Sequence, residues 1–320
     1  MEMARYLGIA KETVYGTPVT PTKFIDVVKE DFAASQEILL DDTVRGRDYY
    51  KQSPGAVKVG GGFDFFVAPE NGIGQLLYFA LGAVSSAQQG GTSAYLHTIT
   101  PADDPPSFTV EKGMDAITGL QYPGCKIAKL VLKTVRKEKL SCSVDVVGKT
   151  EKVVSLSTPS WSNLPDFTFV QGSYKLNTVA NGDIIGAEIR IFNALKEEEY
   201  RPAARVVGKL PVGVRKVEGN FDLEFTDKSQ LERFYGATLA TEPQATLTGV
   251  ALDFLWEGAT IEGAYKYSLE LEIPQIYYTI AKAVLNKREL IVQNVEFQAI
   301  YDATATYVAR AKLQNKETSL

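Results

Sequence analysis

The chain has 320 residues, 45% hydrophobic and 23% charged; that balance suits a folded protein with substantial cores, and the length suits about two domains. A formal net charge of −5 excludes the basic footprint needed to grip a nucleic-acid backbone. A single histidine, His97, excludes His-based zinc sites and catalytic machinery that needs more than one imidazole.

No run approaches ~18 apolar residues, and the opening Met1 to Gly8 lacks the apolar stretch of a secretory signal, so no membrane anchor is expected. Cys125 and Cys142 are too few for a disulfide framework and read as buried free thiols.

Two prolines and two glycines between Gly8 and Phe24 predict an extended N-terminal arm with turns, leading into a strand near 24–28. A second strand covers about 31–39. Residues 40–54 are polar and without steady period, long for an inert connection, and so form a candidate contact loop. A strand over 55–67 follows. Ile73, Leu76, Leu77, Ala80 and Leu81 share one face of a helix that starts after Pro69, Glu70 and Asn71 and stops at Gly82. Residues 83–93, rich in Ser, Gln and Gly, read as a mobile loop. Strands are expected at 95–100, 108–112, 126–135 and 140–147.

Residues 155–165, with two prolines and several small polar residues, form the natural linker. Beyond it a strand spans 184–192, a charged loop spans 193–211, and another strand spans 213–225. Asp227 and Gln230 have capping-box spacing for a helix whose buried stripe is Leu231, Phe234 and Tyr235. Later strands are expected at 246–254, 265–273, 290–301 and 306–313, with Pro274 at a strand end or edge.

The order of elements is thus the same twice, and the closest likeness is between Gly55–Val67 (GAVKVGGGFDFFV) and Gly213–Phe225 (GVRKVEGNFDLEF). Seven ungapped positions coincide: Gly55/Gly213, Lys58/Lys216, Val59/Val217, Gly61/Gly219, Phe63/Phe221, Asp64/Asp222 and the apolar Phe65/Leu223. In the second copy Val217, Gly219, Phe221, Leu223 and Phe225 fall on one face of a strand. Lys216, Glu218, Asn220, Asp222 and Glu224 fall on the other. A long loop precedes each copy and a helix follows it.

Chemical motifs are scarce. Gly148-Lys-Thr150 resembles the tail of a phosphate-binding loop, but position 143, where that loop needs glycine, is Ser143. Gly60 to Gly62 lie inside a strand pattern, where glycine marks a bulge or a close backbone approach. Asp103-Asp104 and Glu197 to Glu199 lack calcium-loop spacing and read as solvated loops. His97 alternates with apolar residues and reads as a hydrogen-bonded structural histidine. No cofactor or metal is expected.

Several segments resemble tail tube proteins of tailed phages with long flexible tails. They are Glu12 to Ile25, Tyr95 to Asp103, Pro106 to Lys112, Tyr122 to Lys126 leading to Ser143–Lys149, Gly213 to Phe225, and Glu296 to Ala303. The resemblance implies a mainly β fold, with two tandem, similar β-sandwich or barrel-like tube domains, each with one packed α-helix and a long loop. The first spans 1–156 with the N-terminal arm, the linker 157–165, the second 166–320.

It further implies a non-enzymatic virion protein that assembles in the host cytoplasm. Three chains would make a ring with pseudo-six-fold symmetry, and stacked rings would form the tail tube through which DNA is ejected. Partners would be other copies, a tape measure protein inside, terminator and distal tail proteins at the ends, and DNA in transit. Lys58, Asp64, Lys216, Glu218, Asn220, Asp222 and Glu224 are then candidates for the lumen wall, or else for an outer solvated face. Asp42, Arg45, Arg47, Tyr49, Tyr50, Glu198, Tyr200, Arg201 and Arg205 are candidates for ring-to-ring contact. The alternative is a two-domain β-sandwich carbohydrate-binding or adhesion module of a virion.

Overall fold

Period-two alternation of apolar and polar residues dominates the chain, and the structure answers it with 53% strand and 6% helix. A computed structural model describes residues 5–115, 117–285 and 290–320. The strands are β1 (Tyr6–Lys11), β2 (Lys23–Ile25), β3 (Val27–Glu30), β4 (Ala33–Leu40), β5 (Gln52–Phe66), β6 (Gly82–Gln88), β7 (Tyr95–Pro101), β8 (Phe108–Met114), β9 (Thr118–Val135) and β10 (Ser141–Gly148). They continue with β11 (Lys152–Val154), β12 (Gly172–Leu176), β13 (Val179–Ala180), β14 (Ile184–Phe192), β15 (Lys216–Glu224), β16 (Val250–Glu262), β17 (Tyr265–Val284), β18 (Val292–Ala299) and β19 (Arg310–Asn315). The two helices are α1 (Ile73–Leu81) and α2 (Ser229–Tyr235).

Two long strands organise the pairing, which is antiparallel throughout. The N-terminal half of β9 pairs with β8 and β11, and its C-terminal half with β10 and β14. Likewise β17 pairs first with β16 and β19, then with β18. Each changes partners at a proline, Pro123 and Pro274, which has no N–H to give a ladder. Pro274 therefore lies inside a strand, at an irregularity of its ladder, rather than at a strand end.

One sheet of eight strand positions results, in the order β3/β4, β5, β10, β9, β14, β15, β18, β17. Its two halves show the same pairings: β5–β10–β9 in one, β15–β18–β17 in the other. Asp64 faces Ser143 as Asp222 faces Asn294, and Leu130 faces Val144 as Ala281 faces Val295. Gly61 and Gly219 hold equivalent places for one reason. A Cβ would lie 2.5 Å from the Phe32 backbone, between β3 and β4, at Gly61 and 2.2 Å from the Glu188 carbonyl of β14 at Gly219, so only glycine lets the preceding segment come this close.

The apolar face of this sheet carries Val59, Phe63, Phe65, Leu130, Leu132, Ile189, Ile191, Val217, Phe221 and Leu223, all buried in one contiguous core that spans both halves. Helix α1 packs on β9 and β7, and Phe79 stacks on Phe108 at 4.6 Å. Beyond the bends lie β2–β1–β8 on one side and β13–β12–β16, with β19–β7–β6, on the other. The β6–β7 hairpin thus reaches from the first half of the chain into the sheet of the second.

Several sequence expectations change. Residues 83–88 of the expected mobile loop 83–93 belong to β6, because β7 supplies a ladder partner that no local signal announces. The N-terminal arm begins as a buried strand, with Leu7 and Ile9 fully enclosed between β2 and β8. Helix α1 has Gly72 at its N-cap, while Asn71 donates to the Phe66 carbonyl. In α2 the capping box is not made. Asp227 accepts from the Ser229 N–H, and hydrogen bonding from the Ser229 side chain and backbone holds its carboxyl below the usual range, but Gln230 turns inward to accept from Tyr278. The buried positions of α2 are Gln230 and Glu232, whereas Leu231, Phe234 and Tyr235 stay half-exposed. Residues 157–165 contain no strand, and Trp161 in that segment meets Phe24 edge-on.

Candidate functional site

The eight-strand sheet leaves one face outside the core. Directly opposed residues run across it in a single row: Asp64, Ser143, Val131, Arg190, Glu218, Gln298 and Tyr277. Neighbouring rows bring Asn220, Asp222 and Glu224 beside it on one side and Lys216 on the other. Because side chains alternate along a strand, Lys58 on β5 shares the face of Asp64. All seven residues chosen from the repeat therefore lie on one continuous polar face, exposed or half-exposed.

Sequence reading missed residues on the same face. Lys129, Lys133, Asp145, Glu188, Arg190, Lys282, Asn294 and Glu296 join it through β9, β10, β14, β17 and β18. Alternation within residues 141–147, 184–192 and 292–299 carried the signal, but only the registers show that five strands share one surface.

Charges of opposite sign are interleaved here. Arg190 meets Glu188 at 2.6 Å and Asn220 at 3.1 Å, Lys129 lies 3.7 Å from Asp145, and Lys216 contacts Glu218. Asn294 donates to Asp222 at 2.7 Å. Ion pairs at such exposed or half-exposed positions add little stability, yet the three here each place a carboxylate beside a cation.

The two loop clusters lie at the two ends of one hairpin, the first at its turn and the second against its base. β4 and β5 form a long hairpin whose turn, 41–51, carries Asp42, Arg45, Arg47, Tyr49 and Tyr50, all exposed except the half-exposed Asp41 that closes it. Arg45 lies 4.9 Å from the Tyr50 ring centroid. Ile38, Leu39, Leu40 and Val44 are exposed on the same hairpin, an apolar tip on an otherwise polar projection. The second loop folds back on the hairpin base. Glu198 meets Lys58 at 2.6 Å and holds its ammonium above the ordinary value, Arg205 donates to the Gly55 carbonyl at 2.9 Å, and the Val57 N–H donates to the Arg205 carbonyl. Tyr200 reaches the Val57 carbonyl, whereas Arg201 pairs with Glu199 of its own loop. Lys58, picked for the sheet face, is therefore tied to the loop cluster.

Asn193 anchors the root of that loop by donating to the Ala80 and Ile127 carbonyls, both at 3.0 Å. Arg215 donates to the carbonyls of Leu81 and Ala102, and burial pulls its guanidinium below the ordinary value.

His97 is fully buried, accepting from Ser86 at Nδ1 (2.7 Å) and donating from Nε2 to Asn315 (2.9 Å). Both ring nitrogens are occupied within the fold, so the imidazole is structural. Cys125 and Cys142 are buried free thiols whose pKa burial raises, the opposite of what a reactive thiolate needs.

A family model described as phage tail tube protein matches residues 4–299. The chain belongs to the phage tail tube protein family. Tail tube proteins are structural components of the virion tail, not enzymes. No curated protein matches the chain. Among the described residues no helix is long and apolar enough to cross a membrane.

Proposed function

We propose that the chain consists of two fused tube domains, 1–156 and 166–320, joined by the linker 157–165, and that three chains close a ring with pseudo-six-fold symmetry. Rings stack into the tube through which DNA is ejected. The observation that carries this reading is the side-by-side pairing of two like four-strand sets in one sheet, β3/β4–β5–β10–β9 and β14–β15–β18–β17. A heterologous contact repeated around an axis closes a ring. Fusion makes every second contact of that ring intramolecular, which lowers its association cost.

The polar sheet face is then the lumen wall. A conduit must let phosphates pass without holding them, and isolated cations would bind DNA. The interleaving of Lys129, Arg190 and Lys216 with Asp145, Glu188 and Glu218 suits that task. The β4–β5 turn, with Asp42, Arg45, Arg47, Tyr49 and Tyr50, and the loop carrying Glu198, Tyr200, Arg201 and Arg205 supply ring-to-ring contacts. A tape measure protein inside and terminator and distal tail proteins at the ends complete the set of partners, and assembly takes place in the host cytoplasm.

Electron microscopy of the concentrated purified protein tests the reading. Hollow tubes of uniform diameter, with three copies per ring, are expected. Persistent monomers, or tubes with the residues of the 64–277 row on the outside, would overturn the assembly and the lumen assignment respectively.

A further inference from the structure

Residues 310–320 pair with β17 in the second half of the chain and then reach into the first half. On the other edge of β19 lies β7, with Leu313 facing His97 and Asn315 facing Tyr95. Asn315 is fully buried; its Oδ1 accepts from His97 and its Nδ2 donates to the Pro69 carbonyl at 3.0 Å. The Lys316 N–H donates to Glu70 at 3.0 Å, while Glu317 pairs with Lys23 of β2 and accepts from Gln75 of α1. Leu313 and Leu320 lie against α1, where a Cβ on Gly74 would come within 2.7 Å of both.

These contacts bear on a helix with little support of its own. α1 has nine residues, begins at the left-handed Gly72 with no side-chain cap, and carries no acidic residue in its first turn. Helices this short are marginal in water, and an uncapped start leaves amide groups open. The order of α1 therefore depends on what packs against it, and all nine of its residues are buried. Asn315 and Lys316 fix the turn that leads into it, at Pro69 and Glu70, and Leu313 and Leu320 cover Gly74 in its first turn. At its other end the Ala80 and Leu81 carbonyls hold Asn193 and Arg215, the two roots of the 194–214 loop. That loop in turn grips the base of the β4–β5 hairpin, where the Arg205 carbonyl accepts from the Val57 N–H at 2.7 Å.

We propose that residues 310–320 are a latch. Only when they are docked is α1 ordered from its first turn to its last, and only then is the β4–β5 hairpin set for contact with other copies. The assembly part of this rests on the reading of the chain as a tube subunit. Undocking leaves His97 Nε2 and the Pro69 carbonyl without these partners, a cost that keeps the latch closed in the finished chain. Before docking, α1 lacks its start. The helix spans about 10 Å from Gly74 to Leu81, so the disturbance reaches the loop roots through one element rather than through the sheet. The latch closes over sequence separations of 218 residues at His97 and 294 at Lys23. A chain whose second half is unfinished or misplaced thus carries a loosened hairpin and stays out of the growing tube.

Hydrogen exchange on the full chain tests the coupling without any assembly. Asn315→Ala should speed exchange about tenfold, as for a lost buried hydrogen bond, at the amides of β7 and α1 and at Val57 and Gly213. Phe221 and Val295, paired in the middle of β15 and β18, should be unchanged. Leu320→Ala, which strands no polar group, should give the same pattern more weakly, and so guards against misfolding of the first variant. Asn193→Ala, beyond α1, should loosen Val57 and Gly213 but not β7. A rise confined to β7, or a uniform rise that includes Phe221 and Val295, would overturn the latch. The double variant Asn315→Ala/Leu320→Ala, which strips the latch of its polar and apolar hold, should lose tube yield in sedimentation. Undiminished yield would overturn the assembly role and leave the tube reading standing. An unmodified chain that forms no tubes would overturn that reading, while the exchange pattern still decides the latch.

Discussion

Ala128 and Thr279 are the extra residues of two β-bulges, 151 positions apart, that hold the same place in β9 and β17. Neither residue type asks for a bulge. The shared irregularity places two strands of different sequence in one geometry, bent at the point where each leaves its proline-marked corner. The internal β9–β14 contact is set by it, since the Ala128 carbonyl receives the Asn193 N–H.

Phe221 is the central aromatic residue of the second repeated strand. It is 0% exposed and meets the rings of Tyr278 and Phe297 at 5.9 and 6.1 Å. Phe221→Ala should destabilise the fold by about 3–5 kcal/mol, measured by denaturant unfolding. A loss below about 1 kcal/mol would place the ring outside the core.

Gly219→Ala should be costly for a different reason. The added methyl meets the Glu188 carbonyl and the Phe297 ring, which forces β14 and β15 apart; overpacking of this kind costs about 1–3 kcal/mol or more. Gly182→Ala, where a Cβ meets nothing within 4 Å, is the matched control and should change the unfolding midpoint little.

His97 predicts a pH dependence. Burial lowers its pKa below the ordinary histidine value of about 6.5, opposed by the hydrogen bond to Asn315. The unfolded chain therefore binds the proton more readily than the folded one. The stabilisation is fully present above about pH 6.5 and falls as pH drops below it, with a slope approaching about 1.4 kcal/mol per pH unit for one proton. Chemical unfolding at pH 7.5, 6.5 and 5.5 should show the decline. His97→Gln should be less stable at pH 7.5 by about 1–3 kcal/mol through a lost buried hydrogen bond, with a flatter profile across that range.

The hairpin turn can be removed without touching the core. Asp41 and Lys51 are bridged by a backbone hydrogen bond, so replacing 42–50 with Asn-Gly leaves a closable two-residue turn. Thermal unfolding should be unchanged within about 0.5 kcal/mol, as for surface changes generally. Tube growth, followed by sedimentation, should fall. Undiminished growth would remove the turn from the ring-to-ring contact.

Alternation, glycine spacing and one ungapped repeat were enough to determine, from sequence alone, a mainly β chain, the two helices, the strand face to which Lys216, Glu218, Asn220, Asp222 and Glu224 belong, and a hydrogen-bonded structural role for His97. These are local properties, set by side-chain period and by the size of single residues. Only the tertiary structure decided which strands share a sheet. Residues 82–88 carry Ser and Gln, yet they form a strand because β7, itself held on its other edge by β19, lies beside them. Leu231, Phe234 and Tyr235 have helical spacing, yet α2 buries Gln230, whose partner Tyr278 arrives from β17, and Glu232, which accepts from the Leu239 N–H just beyond the helix. The bulge at Thr279 was illegible for the same physical reason. Strand pairing is a contact between segments far apart in sequence, and its register is fixed by the partner rather than by the strand itself.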